Sequence, residues 1–248
     1  MKTVVVGASS GLGRCLGVGL AQRGDHVALL ARRQDRLSAA AAEAGPDAVP
    51  IKCDVTDERS CRVAIEKAAA ELGGIDALVY ATGVGPLARL VDISAETWQH
   101  TFATNVTGAA LTTAAALPYL RASSGVAVYL SSVSGSQTPP WPGLGAYIVS
   151  KAALERLIEA LRVENPAIGF TRVIVGDCAG GEGHGATEFS SGWDLDLATE
   201  VMPVWVSRNL IAGNLLEVER LVDAVAAVLR LGPGSSVPSI TVAPRHAQ

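Results

Sequence analysis

The sequence predicts an α/β fold in one doubly wound domain spanning residues 1–248, with a parallel sheet of about seven strands flanked by helices on both faces. Three observations predict it. Short β-branched runs that are apolar on both faces alternate with stretches of helical period. A glycine cluster follows the first of those runs directly. Hydrophobic residues make up 49% of the 248 and charged ones 18%, enough apolar material to bury a sizeable core.

The strands come in order at residues 3–6, 26–31, 49–53, 77–80, 126–130 and 170–175, with 239–242 as a candidate last strand after the GPGSS turn. Between them, Leu154, Leu157, Ile158 and Leu161 follow the i, i+3, i+4, i+7 spacing of a helix face, as do Val218, Leu221, Val222 and Val225. This β-α-β alternation predicts a single sheet wound from both sides. It is interrupted once. AGGEGHGA begins at Ala179, and with the stretch behind it forms a glycine-hinged insertion, expected to be a substrate lid over about 179–215.

Composition narrows the partners. Twenty basic and 24 acidic residues give a net charge of −4, so no cationic field draws the chain to nucleic acid. Cys15, Cys53, Cys61 and Cys178 lack any metal-like spacing and are too few for a disulfide framework, so no metal site is predicted and free thiols in a reducing cytoplasm are expected. The start, MKTVVVGASSGLG, breaks at glycines instead of a cleavage site, and no apolar run reaches membrane-spanning length. The expected location is cytoplasmic.

The chemistry begins at the first strand, which runs into Gly7-Ala8-Ser9-Ser10-Gly11-Leu12-Gly13 and then a helix from Arg14. Glycines there let the backbone turn sharply and a pyrophosphate approach the amides of a helix N-terminus, whose dipole favours the anion. The second strand ends Ala31-Arg32-Arg33. A free ribose 2′-hydroxyl usually meets an acid at that point and a 2′-phosphate meets cations, so NADP(H) is favoured over NAD(H). Asp54 and Val55 follow the third strand as an adenine contact, while Asp54 also fits a helix cap before DERS. Tyr147 and Lys151 stand four residues apart, on one face of a helix, where the ammonium is expected to lower the phenol's pKa. Ser131, Ser132 and Ser134 follow as the chain leaves the fifth strand, and any of the three can present a hydroxyl to the same spot.

Together these residues resemble the short-chain dehydrogenase/reductase family, through its Gly-x-x-x-Gly-x-Gly loop and its Tyr-x-x-x-Lys pair, in matching order over nearly the whole chain. The resemblance implies a Rossmann-type domain assembled as a dimer or tetramer, and an oxidoreductase that interconverts a carbonyl and an alcohol with NAD(P)(H). By position, Tyr147 then serves as acid or base, Lys151 holds the nicotinamide ribose, Ser132 polarises the carbonyl and Asn105 anchors a water relay behind the lysine. Ala81, Thr82 and Gly83 flank the cofactor, and Thr187 contacts its carboxamide. Two motifs depart from the family: Tyr80-Ala81-Thr82-Gly83 replaces Asn-Asn-Ala-Gly, losing an asparagine that ties strands, and Gly176-Asp177-Cys178 stands where Pro-Gly is usual. Both lie beside the cofactor, so the alternative is a catalytically silent NAD(P)-binding regulatory or scaffold protein. Trp141, Trp193 and Trp205 either line an apolar substrate pocket or serve packing, and His184 either touches substrate or faces solvent. Cys178 has no partner group and is not expected to act as a nucleophile.

Overall fold

In a computed structural model, which describes residues 1–181 and 187–245, seven parallel strands form one sheet in the order β3-β2-β1-β4-β5-β6-β7. The strands are β1 (Lys2–Val6), β2 (His26–Ala31), β3 (Val49–Lys52), β4 (Ala77–Tyr80), β5 (Val126–Ser132), β6 (Gly169–Val175) and β7 (Ser239–Val242). The main helices between them are α1 (Gly11–Gln22), α2 (Gln34–Ala44), α3 (Glu58–Leu72), α4 (Ala95–Phe102), α5 (Gly108–Ser123), α6 (Val133–Ser136), α7 (Gly145–Glu164), α8 (Leu195–Ser207) and α9 (Val218–Leu229). Among the described residues no helix is long and apolar enough to cross a membrane.

Alternation along the strands explains why both of their faces are apolar. Val4 and Val6 of β1 belong to a core with Leu30, Tyr80 and Tyr129, packed under α3, α5 and α7, while Val5 points the other way into a core with Leu29, Val79 and Val128 under α1, α2 and α9. A third, smaller cluster joins α7 to α8 through Leu144, Ile148, Val201 and Trp205.

The strand order reverses direction between β1 and β4, and connections diverge there to opposite faces. That leaves a crevice outside the carboxyl ends of the strands, the usual binding position in such sheets. Ladder bonds continue just past the strand ends on either side: Gly7 N donates to Leu30 O at 2.7 Å and Ala81 N to Val6 O at 2.9 Å.

The predicted boundaries shift slightly. β5 runs on to Ser132 because Ser131 and Ser132 still pair with Ile174 and Val175, and β3 stops at Lys52. Asp57, not Asp54, caps α3, accepting from Ser60 N at 2.7 Å. One irregular element has no signal in hydrophobic period: residues 103–107 form a π-helical turn between α4 and α5, and Asn105 lies in it.

Candidate functional site

A cleft of about 1270 Å³ opens at the carboxyl ends of the strands. Its floor is the glycine loop. Gly7 (φ +93°) and Gly11 (φ +56°) occupy backbone conformations that favour glycine, and a Cβ on Gly13 would stand 2.3 Å from Gly7 O, so the helix can approach the turn only without a side chain. Ser10 is the N-cap residue of α1 but makes no side-chain cap bond, because its Oγ accepts from Arg33. The first amides of α1 therefore face the cleft without a capping hydroxyl. Beside them lies Thr82 Oγ1, a buried oxygen with no hydrogen-bond partner among the described residues, 2.7 Å from where a Cβ on Gly7 would be. A helix N-terminus, a cradle that any Cβ would fill and an unsatisfied hydroxyl fit a dinucleotide's pyrophosphate.

At the β2 side of the cleft, Arg33 donates through Nη2 to Ser9 Oγ (3.0 Å) and Ser10 Oγ (2.8 Å). Its Nη1 pairs with Glu188, which also pairs with Arg36. These guanidinium bonds, Arg33's first, hold the Glu188 carboxyl below the usual range. Arg32 is exposed at the cleft rim. Asp54 Oδ1 accepts from Thr56 N (3.0 Å) and Thr56 Oγ1 (2.8 Å), a local turn that leaves the carboxylate lining the cleft beside the buried Val55.

The other end brings together Ser132, Tyr147 and Lys151. β5 delivers Ser132 at its last position and α7 delivers the other two one turn apart. Ser132 and Tyr147 both line this end of the cleft, and the Ser132 side chain favours the ionised form of the phenol. Lys151 Nζ lies 5.6 Å from the centroid of the Tyr147 ring and donates to Leu130 O at 2.7 Å. The expected lowering of the phenol's pKa does not occur in this state: burial pushes Tyr147 up to about 12, with Ser132 opposing it only in part. Burial likewise brings Lys151 down to about 8, against the pull of Glu155. The ammonium is directed to a backbone carbonyl, so its charge is not placed against the phenolic oxygen.

The serine rivals separate cleanly. Ser131 points away, donating to the buried Glu155 at 2.6 Å, whereas Ser134 shares a hydrogen bond with Ser132 at 2.9 Å. Asn105, fully buried, accepts from Val84 N (2.8 Å) and donates to Val84 O (2.9 Å) and Ser150 Oγ (2.8 Å), and Ser150 bonds the Tyr147 carbonyl. Its amide thus braces the Gly83–Val84 turn against α7 without a direct bond to Lys151. At the position of the missing asparagine's motif, the buried Tyr80 hydroxyl ties β4 to the π-helical turn by donating to Thr104 O, and Gly108 makes room for it.

Of the described residues after β6, Thr187, Phe189 and Trp193 line the cleft. A Cβ on Gly11 would stand 3.3 Å from Thr187 Cα, so Thr187 lies on the glycine loop. Phe189 meets the Tyr147 ring edge-on at 4.9 Å and Trp193 at 5.6 Å, and Trp193 in turn meets Trp205. Trp141 and Trp205 are buried against one another and also line the cleft, while Trp193 is half-buried there and donates to Gly85 O. Cys178 is raised to about 11 by burial, in line with an inert thiol. His184 lies outside the described residues.

Arg36, Glu188, Phe189 and Glu155 are absent from the sequence-based site. Arg36 had a signal, standing three residues after Arg33 on the same helical face. Glu188 had none, because its partners lie more than 150 residues away in the chain.

Comparison with known proteins identifies the family. The sequence profile described as short chain dehydrogenase matches residues 2–181. The chain is 30% identical over 246 residues to a glycine betaine reductase of Emericella nidulans, a match covering 98% of this chain and 18% of that protein. It is 37% identical over 179 residues to 11-beta-hydroxysteroid dehydrogenase A of Sesamum indicum (70% and 51% covered), and 31% identical over 227 residues to a cis-4-hydroxycyclohexanecarboxylate dehydrogenase of Sinomonas cyclohexanicum (90% and 86%). The chain therefore spans about half, or much less, of the first two relatives. Among solved structures, a short-chain type dehydrogenase/reductase from Mycobacterium marinum superposes with a TM-score of 0.78 at 27% identity, covering 97% of this chain and 92% of that one. An alcohol dehydrogenase from Thermococcus sibiricus complexed with 5-hydroxy-NADP shares the fold at a TM-score of 0.79 and 24% identity (97% and 94% covered).

Proposed function

Because the chain belongs to the short-chain dehydrogenase family, we propose that it is an NADP(H)-preferring oxidoreductase that interconverts a ketone or aldehyde and the corresponding alcohol. The observation that carries the reading is the two-ended cleft: Ser132, Tyr147 and Lys151 converge at one end, and Arg33, fixed by Ser9 and Ser10 beside the glycine loop, stands at the other.

Gly7, Gly11, Leu12, Gly13 and Thr82 would hold the pyrophosphate, Asp54 and Val55 the adenine, Arg32 and Arg33 the 2′-phosphate, and Lys151 the nicotinamide ribose beside Ala81 and Gly83. Thr187 would contact the carboxamide. When bound, the nicotinamide supplies or takes up the hydride. Tyr147 gives its proton to the carbonyl oxygen, or takes one from the alcohol in reverse, and Ser132 hydrogen-bonds the same oxygen. A phenol held at about 12 is a proton donor across the neutral range. Gly83 leaves open the space between Lys151 Nζ and Asn105 Oδ1: a Cβ there would stand 3.4 Å from the first and 3.6 Å from the second. Asn105 fixes that turn by gripping Val84, so it acts on the site as a positioning residue.

The Phe189–Trp193 surface over Tyr147 favours an apolar, ring-bearing substrate. The names of two relatives, a hydroxysteroid and a hydroxycyclohexanecarboxylate dehydrogenase, point the same way. A dimer or tetramer belongs to the same reading and is checked by light scattering.

Titration with NADPH and NADH, followed by nicotinamide fluorescence, tests the cofactor assignment. NADPH should bind more tightly, and Arg33→Ala should remove most of that preference. Tyr147→Phe should lower turnover by about 10²–10⁴-fold while leaving cofactor binding intact. Tighter NADH binding would overturn the 2′-phosphate site, and full turnover of Tyr147→Phe would overturn the mechanism. Failure to bind either nucleotide would refute both the enzymatic reading and the silent-binder alternative.

A further inference from the structure

We propose that Glu188 is a built-in occupant of the 2′-phosphate subsite, which an incoming 2′-phosphate displaces, and that this displacement draws Phe189 away from Tyr147. The inference rests on the NADP(H) reading and adds to it a gate set by the cofactor's own phosphate.

The subsite is assembled before any ligand arrives. Arg33, the N-cap residue of α2, and Arg36, in its first turn, direct one guanidinium nitrogen each to a different oxygen of the Glu188 carboxylate. Two guanidiniums each engaging a separate oxygen of one anion is an arrangement that suits a phosphate as well as a carboxylate. Arg33 is also oriented by Ser9 and Ser10. A dianionic phosphate gains more from two guanidiniums than a monoanionic carboxylate does. All three side chains are 37% exposed, so the bridge sits at the cleft rim, where ion pairs exchange at low cost.

The occupant is tied through its neighbours to both ends of the cleft. Thr187, its neighbour, lies on Gly11 in the pyrophosphate cradle. On its other side Phe189 covers the Tyr147 ring edge-on at 4.9 Å and fills the space left by Gly85, where a Cβ would stand 2.2 Å from the Phe189 ring. Consecutive Cα atoms are only about 3.8 Å apart, so any backbone displacement at Glu188 that accompanies its release from the arginines is passed to Phe189. The chain thereby couples the phosphate end of the cleft to the phenol end and predicts ordered binding, cofactor before substrate.

The test compares 2′,5′-ADP with 5′-AMP, which differ only in the 2′-phosphate and both stop short of Tyr147. Wild-type protein should prefer 2′,5′-ADP by calorimetry, Glu188→Gln should raise that preference by roughly 3- to 10-fold, and Arg36→Ala should lower it. Adding 2′,5′-ADP, but not 5′-AMP, should increase deuterium uptake over residues 187–193. A preference unchanged in Glu188→Gln but lost in Arg33→Ala would overturn the occupant and leave the NADP(H) reading standing. If wild type shows no preference and Arg33→Ala changes nothing, that reading fails and the inference with it. Uptake over 187–193 that does not rise with 2′,5′-ADP would overturn the coupling to Phe189.

Discussion

Replacing Glu155 with glutamine perturbs the ion pair that supports the catalytic end of the cleft from behind. Glu155 is 4% exposed, one turn beyond Lys151 on α7, and accepts from Ser131 Oγ (2.6 Å), Ser136 Oγ (3.0 Å) and Arg172 Nη1 (3.0 Å). Glutamine keeps one carbonyl oxygen for the two hydroxyls but sets an N–H donor against the Arg172 donor. A hydrogen bond to a charged group contributes about 1.5–3 kcal/mol. Arg172 retains Glu159 and Ser239 as partners, and its side chain is 28% exposed, so solvent screening reduces the loss to about 1–2 kcal/mol. For a domain of this size that lowers the Tm by about 2–8 °C. The substitution also removes the negative charge that opposes the burial of Lys151, so the lysine, already near 8, titrates at lower pH and the alkaline limit of NADPH binding moves the same way. Urea unfolding at pH 7 and a pH series of NADPH titrations measure the two effects. Stability within about 0.5 kcal/mol of wild type, or an unmoved alkaline limit, would refute this account of Glu155.

Lys151 also makes stability depend on pH. Its folded value of about 8 lies below the ordinary 10.5, so the unfolded chain binds more protons between those values and stability rises with pH across that window. Relative to Lys151→Met, wild type should gain about 2–3 kcal/mol between pH 8 and pH 10 in urea unfolding, and parallel curves would contradict the assignment. Tyr80→Phe removes the hydroxyl that satisfies Thr104 O and should cost about 1–3 kcal/mol, also by urea unfolding; a loss below about 0.5 kcal/mol would mean that the carbonyl finds another partner. Gly13→Ala puts a methyl 2.3 Å from Gly7 O, so an overpacking cost of about 1–3 kcal/mol and at least about tenfold weaker nucleotide binding are expected. Unchanged affinity in that variant would remove the glycine cradle from the pyrophosphate site.

Much of this protein was legible in its sequence because the signals are local. The parallel sheet follows from strands apolar on both faces, and the glycine loop from a backbone requirement that only glycine meets at Gly7 and Gly11. Tyr147 and Lys151 declare themselves because a spacing of four fixes their relative position on a helix. Other features were illegible for an equally physical reason. The π-helical turn around Asn105 is held by Tyr80 and Val84, residues about 20 positions earlier, and leaves no mark on hydrophobic period.

Motif position likewise named Ser131 and Ser132 together, and only the strand's alternation, with Glu155 waiting on one side and Tyr147 on the other, separated them. The sequence by itself determined which residue types line the cleft and in what order. Tertiary structure alone decided their electrostatics: burial set the opposing shifts of Tyr147 and Lys151, and chain return from more than 150 residues away set Glu188 between Arg33 and Arg36. Desolvation and ion pairing depend on what surrounds a group in space, and a linear pattern carries neither.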